Sequence, residues 1–209
     1  METLITQIQN LRNSEVSKLV QQRISEFKLK GESGLDSIFS ELCFCILTAN
    51  FNAERGIKIQ EALGGDCSSL TEQELSSKLK SLGHRFSNTR ASFIVEARKH
   101  KENLINILSS KTEKETREWL VENIKGLGYK ESSHFLRNIG FNNVAIIDFH
   151  ILDILEKNNL IEKPKTKSLN KAKYLEIEQV LEKLASSLNI SLGELDLYLW
   201  YLETGKVLK

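Results

Sequence analysis

A turn with two glycines reads Ile124-Lys125-Gly126-Leu127-Gly128-Tyr129-Lys130 and separates two stretches with helical periodicity. Glycine tolerates backbone angles that other residues avoid, so the chain can reverse tightly and approach another molecule closely here. The first amides of the second helix then point outward, and a helix N-terminus carries partial positive charge. The turn therefore indicates a site for a phosphate group.

Outside this turn, apolar residues recur at helical spacing, and no convincing strand pattern occurs. The patterns predict helices near residues 2–12, 14–30, 35–50, 53–63, 71–81, 86–99, 101–109, 113–124, 129–138, 149–158, 171–188 and 191–204. The segment from Asp36 to Asn50 is apolar nearly all round, which is typical of a helix buried in a core. The lysine-rich segment 162–173 around Pro164 is expected to be a loop. The sequence thus predicts an all-α protein.

The chain has 209 residues, 29 of them basic and 28 acidic, and its formal net charge is +1. Any basic surface that contacts nucleic acid must therefore be local. No signal-peptide-like segment and no run of about eighteen apolar residues occurs, so we expect a cytoplasmic protein that contacts no membrane.

The three cysteines are too few for a four-cysteine metal or iron–sulfur site. Cys43 and Cys45 should lie on different sides of one helix, because a two-residue step turns the side chain by about 200°. They are therefore badly placed to share a metal or a disulfide. We expect both of them, and Cys67, to be buried as small apolar residues.

The helix after the glycine turn carries a basic face. Lys130, His134 and Arg137 are spaced i, i+4 and i+7, whereas Phe135 and Leu136 belong to the opposite, apolar side. An ordinary solvated helix face would have the same spacing. Because this face begins at the glycine turn, we predict that it contacts DNA.

Lys130 is a candidate nucleophile at the start of this helix. Free lysine has a pKa near ~10.4 and is protonated at neutral pH, but burial and nearby cations lower that pKa and release a neutral amine. Asp148 is a candidate for stabilising positive charge on a sugar and for shuttling a proton. A close ion pair between the two would oppose attack by the lysine.

Asp148 also has a purely structural interpretation. A helix is predicted to begin at Phe149, which makes Asp148 its N-cap, a position worth ~1 kcal/mol. The two roles are compatible, because capping would also hold the carboxylate in place. His150 lies in the same turn, and we expect it to make a structural hydrogen bond.

The glycine turn and the segment Ile146-Ile147-Asp148-Phe149-His150 together resemble the helix-hairpin-helix DNA glycosylases. The order of lysine and aspartate is similar to that of the bifunctional glycosylase/AP lyases. Within them, the chain from about Ser37 to Lys209 most resembles the archaeal-type 8-oxoguanine DNA glycosylase/AP lyases. The segments that carry this resemblance are Glu41–Asn50, Leu82–Phe86, the hairpin, Asp196–Leu202 and Gly205–Lys209.

Two features depart from this pattern. The loop that is rich in glycine and proline in these enzymes is reduced to Gly140-Phe141-Asn142-Asn143, without proline. Phe149 stands where these enzymes often have a basic residue, so one phosphate or active-site contact is expected to be missing.

The resemblance implies two helical lobes with a DNA cleft between them. One lobe would comprise residues 35–148 with the hairpin at 124–130, and the other would comprise 1–34 plus 149–209. It also implies that the base is flipped out of the duplex and excised when Lys130 attacks the sugar and forms a Schiff base. Cleavage of the strand 3′ to the abasic sugar by β-elimination would follow. Asp148 would be the essential acid.

Further site residues follow from periodicity and from the resemblance. In the last helix, Trp200 lies on a flank with Asp196, where an indole would provide a stacking wall for the flipped purine. Packing between the lobes is the alternative role for Trp200. The resemblance makes Phe86 the opposite wall, and the terminal carboxylate of Lys209 an acceptor for the N7 hydrogen of 8-oxoguanine. A disordered tail is the alternative for Lys209.

The resemblance places Asn50 and Arg85 at the DNA. Asn50 would fill the vacated space or contact the orphaned cytosine, and an ordinary helix C-cap is its alternative role. The hairpin glycines, Gly126 and Gly128, would let the backbone contact a phosphate.

The expected partner is duplex DNA containing 8-oxoguanine, bound by a monomer. We expect no cofactor and no catalytic metal, apart from a structural Na⁺ or K⁺ at the hairpin carbonyls. Two alternatives share the same residues. A glycosylase/lyase for oxidised pyrimidines would excise thymine glycol, and a non-catalytic helix-hairpin-helix module would form no Schiff base.

Overall fold

The computed structural model describes residues 1–164 and 169–209, which form only helices and their connections. The α-helices are α1 (Glu2–Arg12), α2 (Val16–Glu32), α3 (Leu35–Thr48), α4 (Ala53–Leu63), α5 (Asp66–Ser69), α6 (Glu72–Ser81), α7 (Ser87–Ala97), α8 (Leu104–Ser110), α9 (Glu113–Asn123), α10 (Tyr129–Asn138), α11 (Phe149–Lys157), α12 (Lys171–Leu188) and α13 (Leu192–Thr204). A 3-10 turn (Arg98–His100) follows α7. The all-α prediction is confirmed. Part of the predicted loop 162–173 lies outside the described residues.

Local signals explain most helix boundaries. The hydroxyl of Thr112 accepts the Glu115 amide and the Glu115 carboxylate accepts the Thr112 amide, which forms a capping box at the start of α9. Ser191 caps α13 by accepting the Glu194 amide at 3.1 Å. The four-residue helix α5 was not predicted, because it is too short to show helical periodicity.

The first hydrophobic core surrounds α3, which is buried along almost its whole length from Ile38 to Thr48. Helices α4, α6, α7, α9 and α10 pack around it, and the core ends along the chain at Val144. This arrangement confirms the prediction that α3 is a buried central helix. Cys43, Cys45 and Cys67 are all buried free thiols within this core.

The second core combines α1 and α2 with α11, α12 and α13, and it begins in the second half of the chain at Ala145. The two cores therefore divide between Val144 and Ala145, slightly before the predicted boundary at 148. Gly31 of α2 joins the lobes closely, because a Cβ atom there would lie 2.1 Å from the Ile139 carbonyl oxygen. Within residues 1–164 and 169–209, no helix is both long and apolar enough to cross a membrane.

Candidate active site

The glycine turn joins α9 to α10 as a tight hairpin. Gly126 has φ +88°, and a Cβ atom at this position would lie 2.5 Å from the Phe93 ring. Leu127 is buried in the first core and anchors the turn. Gly128 has an ordinary φ of −93°, and its amide donates to the Glu131 carboxylate at 3.2 Å. Glycine is thus required sterically at Gly126 but not at Gly128.

We expect Gly126→Ala to lower the free energy of unfolding by about 2 kcal/mol or more, because the new methyl group combines an unfavourable φ with overlap on Phe93. Urea denaturation measures this loss. Gly128→Ala is the matched control, since its Cβ would lie 3.3 Å from the flexible end of Glu131. An equal loss in both variants would contradict this account of the hairpin.

The prediction that the basic face of α10 contacts DNA is wrong for two of its three residues. His134 and Arg137 are only 7% and 4% exposed, so neither can contact a DNA backbone in this conformation. The Arg137 guanidinium lies 4.6 Å from the centre of the Phe27 ring, which belongs to α2. Its Nη1 is 3.5 Å from the Asp196 carboxylate of α13. Because both lobes pack on α10, its apparent polar face is buried between them.

His134 is enclosed by cations as well as buried. Burial, and then the charges of Arg137, Lys130 and Lys209, hold the pKa of His134 well below its ordinary value. The ring lies edge-on to Phe44, with centroids 5.7 Å apart. At neutral pH, His134 is therefore an uncharged neighbour one helical turn from Lys130.

Lys130 keeps a path to solvent, since 27% of its side chain is exposed. Its ammonium lies 3.7 Å from the Glu131 carboxylate. Among the described residues, it forms no ion pair with Asp148 within 4.0 Å. The ion pair with Asp148 that would oppose attack by this lysine is thus absent from the part of the chain that the structure describes, and Glu131 is the carboxylate paired with it.

Asp148 is the N-cap of α11, as predicted. Its Oδ1 accepts the Ile151 amide at 3.0 Å, and its carbonyl accepts the Leu152 amide. Phe149 beside it is 63% exposed, and the His150 ring packs 4.0 Å from Phe149. The cap holds the Asp148 carboxylate in place at the start of the helix.

Asp196 lies behind these residues on α13. Burial raises the pKa of Asp196 to about 6, with Arg137 opposing the rise and the charge of Asp148 adding to it. Lys130 also acts on the pKa of Asp196, in the lowering direction. The structure therefore places both Lys130 and Asp148 within electrostatic reach of Asp196.

The raised pKa of Asp196 predicts a pH-dependent stability. The folded protein holds this proton more tightly than the unfolded chain does, so the contribution is full below the ordinary value of 3.8 and is lost as pH rises through about 6. Between pH 4 and pH 8, wild type should lose up to about 3 kcal/mol of unfolding free energy relative to Asp196→Asn, which cannot titrate. Urea denaturation at several pH values measures the difference.

The exposed carboxylate of Asp36 supplies the control for this experiment, because 89% of its side chain is accessible. Asp36→Asn should follow the wild-type pH curve. Parallel curves for wild type and Asp196→Asn would show that burial does not perturb Asp196.

The two predicted stacking walls belong to opposite lobes. Trp200 is partly buried in α13, lies edge-on to His150 with centroids 4.8 Å apart, and has a buried Nε1 without a partner in the described residues. Phe86 is 38% exposed, and the Arg85 guanidinium lies over its ring at 4.5 Å. Within residues 1–164 and 169–209 the two rings make no aromatic contact with each other. The His150 ring thus packs against Trp200. Among the described residues, no hydrogen bond to the His150 ring is present.

The loop that carries Phe86 is fastened to the end of α3. Three carbonyls there accept hydrogen bonds from side chains around this loop: Leu47 from His84 at 2.9 Å, Ala49 from Arg90 at 2.6 Å and Asn50 from Arg85 at 2.8 Å. These bonds satisfy orphan carbonyls of the helix end.

Asn50 is exposed with φ +57°, one residue beyond the C-cap Ala49, which agrees with a helix-terminating role. Among residues 1–164 and 169–209, its side chain makes no hydrogen bond. Arg55 belongs to the same surface, since it is exposed and donates to the Gly83 carbonyl at 3.1 Å. Sequence reasoning missed Arg55, which carries no motif of its own.

The last residue folds back onto the first lobe. The Lys209 ammonium lies 3.2 and 3.3 Å from the two Glu41 oxygens, and 4.2 Å from the centre of the Phe44 ring. Glu41 is only 1% exposed and also accepts from Asn138 at 2.7 Å and from Gln60 at 3.2 Å. Sequence reasoning missed Glu41, although a carboxylate in the middle of a largely apolar helix was a usable signal.

Comparisons with known proteins find relatives along almost the whole chain. The family model for 8-oxoguanine DNA glycosylase matches residues 20–190. Two curated relatives are named 8-oxoguanine DNA glycosylase/AP lyase. The relative from Korarchaeum cryptofilum is 53% identical, and the match covers 100% of this chain and 99% of the relative. The relative from Methanocaldococcus jannaschii is 54% identical, and the match covers 99% of this chain and 99% of the relative.

Solved structures match equally well. The crystal structure of the M. jannaschii 8-oxoguanine DNA glycosylase has a TM-score of 0.94 at 53% identity, covering 100% of this chain and 97% of that one. The crystal structure of the M. jannaschii 8-oxoguanine glycosylase/lyase in complex with 15mer DNA containing 8-oxoguanine has a TM-score of 0.95. The match covers 99% of this chain and 100% of that chain.

Proposed function

Because this chain belongs to the 8-oxoguanine DNA glycosylase family, we propose that Lys130 and Asp148 carry out its two chemical steps. The chain is a DNA glycosylase/AP lyase that acts on DNA containing 8-oxoguanine. The observation that carries the residue assignment is the placement of Lys130. It lies accessible at the first turn of α10 and within electrostatic reach of Asp196, and among the described residues it forms no ion pair with Asp148.

In the first step, the neutral amine of Lys130 attacks the sugar carbon that bears the flipped base. A carbon–nitrogen bond to lysine forms, and the glycosidic bond breaks with its electron pair leaving on the base, which takes up a proton. Ring opening then produces the protonated Schiff base. In the second step, loss of a sugar proton expels the 3′ phosphate by β-elimination.

Asp148 supports both steps without being the nucleophile. Its carboxylate stabilises positive charge that develops on the sugar and shuttles protons between the sugar and the lysine. Two structural features support this role, since the Ile151 amide fixes the carboxylate while the side chain remains partly exposed.

DNA occupies the cleft between the lobes. We assign the amides of the Gly126–Gly128 hairpin to a phosphate, and Asn50 and Arg85 to the space that the flipped nucleotide vacates. Phe86 and Trp200 stack on the excised base, and Asp196 and Lys209 line the same pocket. Because relatives occur in archaea and bacteria, we place this repair activity at the nucleoid in the cytoplasm.

We also propose that the hairpin holds a Na⁺ or K⁺ ion that bridges to a DNA phosphate. Residues 1–164 and 169–209 contain no cluster of three His, Cys, Asp or Glu side chains suited to a metal, so the ligands would be backbone carbonyls. The duplex affinity in KCl, compared with tetramethylammonium chloride at equal ionic strength, tests this ion. Equal affinity would contradict it.

The base specificity is tested with two labelled duplexes, one with 8-oxoguanine opposite cytosine and one with thymine glycol. Each is incubated with the protein in the presence and absence of borohydride. We expect a trapped covalent complex and strand cleavage with 8-oxoguanine. Reaction only with thymine glycol would assign the protein to oxidised pyrimidines, and no reaction with either would favour a DNA-binding module.

A further inference from the structure

A buried ion pair joins the two lobes close to the active site. The Arg117 guanidinium of α9 donates to both oxygens of Glu178 on α12, at 2.5 and 2.7 Å. Both residues are almost completely buried, at 0% and 1% exposure. Removing two charges from water costs several kcal/mol per ion, so such a pair is weak evidence for stability alone. The contacts around it indicate what else it does.

One side of this pair holds the segment that leads to Asp148. The Glu178 carboxylate also accepts the Ala145 amide at 2.8 Å. The Tyr174 hydroxyl donates to the Ala145 carbonyl at 2.7 Å and accepts the Ile147 amide at 3.3 Å. This segment is neither helix nor strand. Its backbone therefore depends on α12 for hydrogen bonds that regular secondary structure would otherwise supply.

The other side of the pair contacts the helix that carries Lys130. Ser133 lies one turn beyond Lys130 on α10, and its hydroxyl is 3.3 Å from Arg117 Nη1 and 3.4 Å from the Tyr174 hydroxyl. Both Arg117 and Tyr174 thus touch α10. The same network also contacts the backbone just before Asp148.

We propose that Arg117, Tyr174 and Glu178 are positioning residues that set the separation between Lys130 and Asp148. This inference rests on the proposed function, since it assumes that these two residues react. Catalytic groups must be held closely in place, and a misplacement of about 1 Å can cost up to about a hundredfold in rate. A network of buried hydrogen bonds meets this requirement better than apolar contacts, which tolerate sliding.

Tyr174→Phe is the decisive variant, because it removes only the hydroxyl and leaves the ion pair and the ring in place. We expect the single-turnover excision rate at saturating enzyme to fall about tenfold, with the dissociation constant for the duplex unchanged. Rates are normalised to the fraction of enzyme that borohydride can trap on DNA with a preformed abasic site. Loss of folded protein alone would then leave the rate unchanged.

Tyr198→Phe is the matched control. Tyr198 is a buried tyrosine of the same lobe, at 1% exposure on α13, and the described residues show no hydrogen bond from its hydroxyl to residues 145–147. We expect its excision rate to equal that of wild type. A rate for Tyr174→Phe as high as the control would overturn the positioning role.

A double variant separates this inference from the proposed function. If Tyr174 acts through Asp148, adding Tyr174→Phe to Asp148→Asn should lower the residual rate no further. A further tenfold loss would show that the hydroxyl acts by another route and would overturn the inference. Failure of the proposed function looks different, since wild type itself would then form no trapped complex with 8-oxoguanine.

Discussion

Lys130→Gln should abolish the borohydride-trapped complex on a duplex with 8-oxoguanine opposite cytosine, and reduce strand cleavage at least about a thousandfold. A glutamine amide is not nucleophilic and cannot form a Schiff base, so both the covalent intermediate and the β-elimination that depends on it are lost. Denaturing gel electrophoresis of a labelled strand measures both products in the same reaction. DNA binding should persist, because the hairpin backbone is unchanged.

Lys125→Gln provides the control for this result. Lys125 lies in the same hairpin, but 64% of its side chain is exposed and it pairs with Glu96 at 3.0 Å. We expect this variant to be trapped as wild type is. A covalent complex that persists in Lys130→Gln would move the nucleophile to another amine.

Asp148→Asn should lower the rate of 8-oxoguanine excision by about 10²- to 10⁴-fold, the range over which positioned acid–base groups act. The amide can neither stabilise a developing cation nor shuttle a proton. Asparagine is as good an N-cap as aspartate, so the hydrogen bond to Ile151 and the melting temperature should be retained. Single-turnover kinetics and thermal denaturation of the same preparation measure the two effects.

Asp148→Ala separates the two roles of this residue. It should show the same kinetic loss and, in addition, lose about 1 kcal/mol of stability, since no cap remains for α11. Excision by Asp148→Asn at the wild-type rate would reduce Asp148 to a helix cap.

Several helices could be predicted with their boundaries, because their signals are local. The predicted ranges 53–63, 129–138 and 171–188 coincide with α4, α10 and α12. Capping side chains act over three residues, and apolar periodicity repeats within a turn or two, so both signals can be recognised in the sequence. The hairpin could be predicted equally well, because the positive φ of Gly126 is a local backbone requirement that glycine meets.

The burial of polar residues could not be predicted in the same way. His134 and Arg137 share a spacing with Lys130, but only Lys130 retains substantial exposure. Periodicity says which residues share a face and does not say how many partners cover that face. Here α2 and α13 come from other parts of the chain to enclose it.

Local chemistry in the chain therefore settles the helical class and the hairpin, and it indicates Lys130 and Asp148 as the proposed reactive pair. Tertiary structure decides which charges lose their water and which groups meet. Glu41 meets Lys209, and Arg117 meets Glu178, across long separations in the chain. Desolvation and pairing depend on distances in space, and spacing along the chain carries no record of them.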